Sequence, residues 1–179
     1  MSVKNKIQKI RFITFWDGNQ RADYLKKHNI LAGIGENCLF QSRNFPMDPK
    51  LLKLHDNVTV AANVHFVTHD AIRHVLFYKY HKHFARHLGC IEVMDNVFIG
   101  LGSIIMPNVK IGENCVIGGG SIVTKDIPAN SVAVGVPAKV IGTFDDLVKK
   151  RGLMTPEEEK MSQTEIIAKC WKDFEKTRS

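Results

Sequence analysis

From Val93 onward every sixth residue is aliphatic. Val93, Ile99, Ile105, Ile111, Ile117 and Val123 fill six positions out of six. About a quarter of the chain is Ile, Leu or Val, so a register this clean arises by chance roughly once in several thousand. The fourth residue after each member is small or aliphatic (Val97, Ser103, Val109, Cys115, Ser121, Ile127), and the next residue is often glycine, as at Gly100, Gly112 and Gly118. A six-residue period fits neither a 3.6-residue helix nor the two-residue alternation of a half-buried strand. It is one of the periods of a parallel β-helix. Each hexapeptide would supply a short strand and a turn, with the aliphatic residue inward and the small residue at a tight corner. Asn, Asp and Gly at Asp95-Asn96, Asn108 and Glu113-Asn114 suit the backbone angles of such corners. Three hexapeptides close one triangular turn, and turns stack about 4.8 Å apart through parallel ladders.

Less regular copies begin at Ile34, Leu54 and Val60, so the coil is expected over residues 31–142. Two segments interrupt it: Phe40 to Lys53, with Pro46 and Pro49, and an insertion at 70–90 that has no hexapeptide phase. Residues 1–30 and 143–179 read as helical end segments. Asp17 offers a cap for a short helix reaching His28. Thr155-Pro156-Glu157-Glu158 has the arrangement of a capping box with Pro at the first helical position. After it Ile166, Ile167, Cys170, Trp171 and Phe174 share one helical face, which predicts packing against the coil or a neighbouring subunit. The expected class is all-β with short terminal helices.

At 179 residues the chain is one domain in length, and 44% hydrophobic with 24% charged residues excludes disordered and fibrous classes. No apolar stretch reaches the roughly 18 residues of a membrane span, and the apolar run near the start is too short for a signal peptide. A cytoplasmic location is the expectation. Cys38, Cys90, Cys115 and Cys170 form no CxxC pair and match neither a disulfide framework nor a zinc site. The net charge of +7 suits an anionic ligand. A phosphorylated cofactor and a nucleic acid would explain that charge equally, but the basic residues are scattered and no nucleic-acid motif accompanies them.

The run Ile99-Gly100-Leu101-Gly102-Ser103, the unbroken hexapeptides from Ile111 to Ile141, and the endings Val123-Thr124-Lys125-Asp126-Ile127-Pro128 and Gly135-Val136-Pro137-Ala138-Lys139 resemble the hexapeptide-repeat acyltransferases. The stretch around Pro49 to Leu54, Asn57 to Ala61 and Phe66-Val67-Thr68-His69-Asp70 is similar to the branch that acetylates sugars in capsule and lipopolysaccharide synthesis. The resemblance implies a left-handed parallel β-helix, acetyl-coenzyme A as donor, a sugar hydroxyl as acceptor, and a homotrimer with active sites between subunits. It implies neither a metal nor a nucleic-acid partner.

Acyl transfer from a thioester to a hydroxyl needs a base poised near neutral pH, which histidine supplies. His69 ends the Phe66-Val67-Thr68 strand where the coil gives way to the insertion, the place of the base in similar enzymes. Asp70 is the carboxylate expected to orient its ring, and an acid at a strand exit is also a common turn-former. By the resemblance, Gly100, Leu101, Gly118, Gly119 and the loop Thr124-Lys125 contact coenzyme A, Lys139 faces its adenosine phosphates, and Lys125 adds positive charge for them. Lys139 stands where arginine is common, which keeps the charge and loses the bidentate fork. His74, His81, His83 and His87, with Phe77, Tyr78, Tyr80 and Phe84, make the insertion a candidate acceptor loop. Two other activities remain open. One is N-acetylation of an amino sugar or small xenobiotic. The other is a γ-type zinc carbonic anhydrase, using His69 and His74 with His55 or His65.

Overall fold

From Ile91 to Val123 each hexapeptide becomes one short strand, and successive strands join three sheets in rotation. The computed structural model describes residues 3–178; Met1, Ser2 and Ser179, at the ends of the expected terminal segments, lie outside them. The chain begins with α1 (Val3–Thr14) and α2 (Gly18–Lys27). Then come β1 (Gly33–Ile34), β2 (Leu39–Phe40), β3 (Leu52–Leu54), β4 (Val58–Val60) and β5 (His65–Phe66), followed in the insertion by α3 (Ile72–Tyr80). The regular part holds β6 (Ile91–Val93), β7 (Val97–Ile99), β8 (Ile104–Ile105), β9 (Val109–Ile111), β10 (Cys115–Ile117) and β11 (Ile122–Val123). A hairpin of β12 (Ser131–Gly135) and β13 (Ala138–Thr143) leads to α4 (Phe144–Arg151), α5 (Pro156–Lys160) and α6 (Gln163–Lys176).

The first sheet has the order β1-β3-β6-β9, the second β13-β12-β10-β7-β4-β2, and the third β11-β8-β5. Every pairing is parallel except β12 with β13, so the repeat ends where that hairpin turns back. In the regular part Ile91 pairs with Val109, Val97 with Cys115 and Ile104 with Ile122, a constant offset of three hexapeptides. Across the insertion the offset grows to 39, as between Asn57 and Asn96, which is one regular turn plus the whole of 70–90. Across the first interruption it is only 20, as between Asp48 and Thr68 or Leu39 and Thr59. That proline-containing segment is therefore a turn of the stack with two residues to spare.

Six inward aliphatics, Val93, Ile99, Ile105, Ile111, Ile117 and Val123, are completely buried. Val97, Ser103, Val109, Cys115, Ser121 and Ile127, expected at corners, are buried as well. For Val97, Val109 and Cys115 the physical reason is strand length: in a three-residue strand both end residues face in and only the middle one faces out. Truncating Ile111 or Ile117 to alanine would open a cavity costing about 2–5 kcal/mol. The corners use left-handed asparagines. Asn57, Asn96 and Asn114 have φ of 56°, 59° and 54°. Their side chains form a ladder along one edge, Asn57 donating to Asn96 (2.8 Å) and Asn96 to Asn114 (3.0 Å).

The first two helices cover the open end of the stack. Phe12 of α1, a helix that the hexapeptide period did not announce, is fully buried against Phe40 and Phe45 with ring centroids 5.7 and 5.3 Å away. Arg21 of α2 is buried, and burial lowers the pKa of its guanidinium. Its Nε donates to the Phe40 carbonyl (2.8 Å) and Nη2 to that of Gln41 (2.9 Å), satisfying acceptors at the edge strand β2.

The chain forms two compact units, one ending at Leu147 and one beginning at Val148. In the second unit the capping box at Thr155 is present, Ser162 caps α6 in the same way, and Lys169 pairs with Glu158. Trp171 and Phe174 meet edge to face at 5.6 Å.

Outward residues differ between sheets. The first carries Lys53, Glu92 and Lys110; the second Thr59, Phe98, Val116 and Val132; the third His65, Ile104 and Ile122. His55 Nε2 and Lys53 Nζ lie 2.9 and 3.2 Å from Glu92. These two hydrogen bonds, His55 first, hold the Glu92 carboxyl down to about 2. Folding thus lowers this pKa, so the stability it brings is full above about pH 5 and is lost as pH falls towards the folded value. Glu92 is partly exposed, and solvent screening limits the gain to about 1 kcal/mol. Glu92→Gln should lose about that much at pH 7, and the gap should close as pH falls towards 2 in urea titrations. A gap that persists at low pH would show that the ion cluster is not its source.

Candidate active site

His69 lies three residues past the end of β5 and is fixed from both sides of the insertion. It bridges antiparallel to Leu88, and the Gly89 amide donates to the Thr68 carbonyl at 2.8 Å, so the departing and returning strands lock together beside the imidazole. Gly89 is required there, because a Cβ would stand 2.6 Å from Pro107 and 2.7 Å from the Asn108 amide.

The carboxylate at His69 is Asp48. Its Oδ2 lies 2.5 Å from Nδ1 of His69 and accepts from the Thr68 hydroxyl at 3.0 Å. Asp70, expected to orient the ring, is directed elsewhere: its Oδ1 accepts from the Ile72 amide (2.9 Å) at the start of α3, and Oδ2 is 3.6 Å from Nδ1 of His87. A short acid just ahead of a helix finds the free amides of the first turn more readily than a ring one residue away. Sequence reasoning misses Asp48 because it lies in the proline-containing interruption, yet the register contains the signal. The offset of 20 that pairs Leu39 with Thr59 also sets Asp48 opposite Thr68. The segment carrying Asp48 is tied down by Ser42 Oγ, which donates to the Val64 carbonyl (3.0 Å), and by Asn44, 2.9 Å from Nε2 of His65. Lys50 Nζ adds bonds to the carbonyls of Asn29 (2.6 Å) and Leu31 (2.9 Å).

An ionised carboxylate only accepts hydrogen bonds, so the proton between Asp48 and His69 belongs to Nδ1. Nε2 is then the basic nitrogen of the neutral ring. Among the described residues it has no hydrogen-bond partner. Such an arrangement suits an oriented general base.

His69 lines two cavities. The larger, about 690 Å³, is walled by α1, Asn29, Ile30 and the segment Phe45 to Lys50, and Asp48 borders it too. Its size is that of an ordinary small-molecule site. The smaller, about 100 Å³, lies on the insertion side among Asp70, Arg73, His74, Arg86 and His87. The insertion therefore does not wall the larger space, although its sequence made it the candidate acceptor loop. His83 packs on Phe77 with centroids 5.0 Å apart, and His81 is the left-handed C-cap of α3.

The remaining candidates lie apart from His69, and none lines either cavity. Gly100, Leu101, Gly118 and Gly119 stack at the corner between the second and third sheets. A Cβ on Gly100 would stand 2.5 Å from the Gly119 amide, so turn-to-turn contact alone demands glycine there. Ser103 and Ser121 both donate to the Gly118 carbonyl, at 3.0 and 2.6 Å. Thr124 and Lys125 are exposed at the corner leaving the third sheet, two turns beyond His69 on the same edge. Lys139 is exposed on β13. Cys38 and Cys115 are buried, and burial pushes both thiols up, away from nucleophilic use. His55 is bonded to Glu92 and His65 to Asn44, and among the described residues no three His, Cys, Asp or Glu side chains converge as a metal site would require.

Among the described residues no helix is long and apolar enough to cross a membrane. A profile of the bacterial transferase hexapeptide (six repeats) matches residues 91–125. The chain is 40% identical over 113 residues to the galactoside O-acetyltransferase of Escherichia coli, covering 63% of this chain and 54% of that one. It thus spans about half the length of that relative. It is 34% identical over 145 residues to the galactoside O-acetyltransferase of Lactococcus lactis, covering 71% and 69%. The solved structure of a galactoside acetyltransferase in complex with coenzyme A superposes with a TM-score of 0.64 at 28% identity, covering 89% of this chain and 88% of that one.

The proton assignment is open to direct measurement. In nitrogen-15 spectra of the neutral histidines, His69 should show a protonated Nδ1 and a bare Nε2, and Asp48→Ala should return it to a mixture of tautomers. A protonated Nε2 in the unchanged protein would contradict the arrangement.

Proposed function

The chain belongs to the hexapeptide-repeat acyltransferases, and we propose that it is an O-acetyltransferase that moves acetyl from acetyl-coenzyme A to a hydroxyl of a sugar. The observation that carries this reading is the His69–Asp48 pair at the wall of the larger cavity, with Nε2 unpartnered. The acceptor sugar occupies that cavity with a hydroxyl at Nε2. His69 takes the hydroxyl proton as the oxygen attacks the thioester carbonyl. The tetrahedral intermediate, its oxyanion held by a backbone N–H, collapses to the acetyl ester. The departing thiolate takes up the proton that His69 carried, and no covalent enzyme intermediate forms. Asp48 keeps the ring in the required tautomer and steadies the imidazolium, the role of the carboxylate in hydrolase triads.

For the donor, the pantetheine arm runs along the glycine corner of Gly100, Leu101, Gly118 and Gly119, with Thr124 and Lys125 on the opposite edge of the third sheet and Lys139 at the adenosine phosphates. In one chain these two rows sit on different corners. In the proposed threefold assembly, one subunit's glycine corner would lie beside its neighbour's His69 edge. Outward side chains support such an assembly, since Phe98, Val116, Val132, Ile104 and Ile122 face out from the second and third sheets while the first presents Lys53, Glu92 and Lys110. Sparing apolar faces from water is what drives closed symmetric association.

Coenzyme A thiol release with a panel of sugars tests the activity. His69→Ala should stay folded and trimeric, because the side chain is outside the buried aliphatic column, and should lose roughly 10²- to 10⁴-fold in turnover. Lys139→Ala should raise the Michaelis constant for acetyl-coenzyme A with little change in turnover, an effect that salt reproduces in the unchanged protein. Near-normal turnover in His69→Ala would move the base elsewhere.

A further inference from the structure

The insertion side of His69 carries a second, chemically distinct feature. Its recess of about 100 Å³ is lined by two arginines, Arg73 and Arg86, and a single acidic residue, Asp70. Asp70 is engaged by the Ile72 amide and by His87. Among the described residues neither arginine has an acidic partner, although Arg73 leaves on α3 and Arg86 comes back with the strand that bridges His69. The whole insertion repeats the imbalance, with Arg73, Lys79, Lys82 and Arg86 against Asp70 alone. Arginines without acidic partners beside one small recess suit an anion, because their planar donors match carboxylate and phosphate oxygens. The recess is well under the roughly 300–1,000 Å³ of a whole-ligand pocket, so it has room for a substituent and not for a ring.

We propose that this recess binds an anionic substituent of the acceptor, a carboxylate or phosphate carried by the sugar whose hydroxyl meets His69. The identification of the ligand as the acceptor rests on the acetyl-transfer reading above; the anion site rests on the two arginines alone. The substrate class is then an acidic sugar rather than a neutral one. Arg73 and Arg86 act as specificity residues that set the hydroxyl against the base. A phosphate of the donor is the other possible source of the anion, but Lys125 and Lys139, the cations proposed for it, share neither cavity with Arg73.

Calorimetric titration at low salt with two matched pairs, galacturonate against galactose and glucuronate against glucose, tests this. In at least one pair the acid should bind about tenfold tighter or better, the effect expected of hydrogen bonds to a charged group. Arg73→Gln or Arg86→Gln should each remove most of that preference, and Arg86→Lys should keep part of it. Affinity for coenzyme A should stay unchanged in all three. Both arginines are exposed, and thermal unfolding of each variant would verify that the fold is intact. Equal binding of acid and neutral sugar in both pairs, or a preference untouched by the substitutions, would overturn the proposal. So would weakened coenzyme A binding in the arginine variants, which would assign the recess to the donor. If acidic sugars bind as expected yet no sugar frees thiol from acetyl-coenzyme A, the transfer reading fails and the anion site stands.

Discussion

Every inward residue of the stack rests on the residue one turn before it and supports the residue one turn after. Ile99 lies between Val60 and Ile117, and Ile105 between Phe66 and Val123. A column of this kind tolerates little change in turn length, because a one-residue slip would exchange the inward and outward faces of a strand. Departures from the regular turn are therefore even in effect or removed whole: two residues are gained before β3, two are lost before β12, and the insertion leaves and returns at one point. The site depends on that constraint. His69 stands where the insertion departs, and the bridge to Leu88 and the bond to the Gly89 amide keep the stack in register across the gap.

The same constraint decides how much could be read from the amino acids. The period, the corner asparagines, the caps at Asp17 and Thr155 and the location of His69 at a strand exit are local features, and each left a local mark. Asp48 left none. It precedes His69 by more than a full turn, in a segment whose prolines suggested a break in the coil, and only the two-residue excess in register reveals that it stacks on Thr68. α3 was not announced either. It lacks the hexapeptide period and has no buried residue to give it an apolar stripe. The fourth hexapeptide position was legible as small or aliphatic, but its place inside the core follows from strand length, which the period alone does not give.

Charge divides the molecule into working regions. The outward row of Lys53, Glu92 and Lys110 pairs internally and suits a face left in water. Apolar rows on the other two sheets suit contact with copies of the chain. Around His69 the two cavities differ in the same way, the larger having apolar walls from Phe45, Pro46, Met47 and Ile30, the smaller being cationic. An acceptor with an apolar ring face, hydroxyls and one anionic group would meet a complementary surface at each position.

The central claim is that Asp48 acts through His69 and not on its own account. A double-mutant cycle on the rate of acetyl transfer tests it most directly, with His69→Ala, Asp48→Asn and the combined variant assayed on one acceptor. If the two side chains form one unit, the combined variant will be no slower than His69→Ala alone, so that removing Asp48 costs nothing once the ring is gone. Effects that multiply, each substitution slowing the enzyme by the same factor with or without the other, would contradict the account.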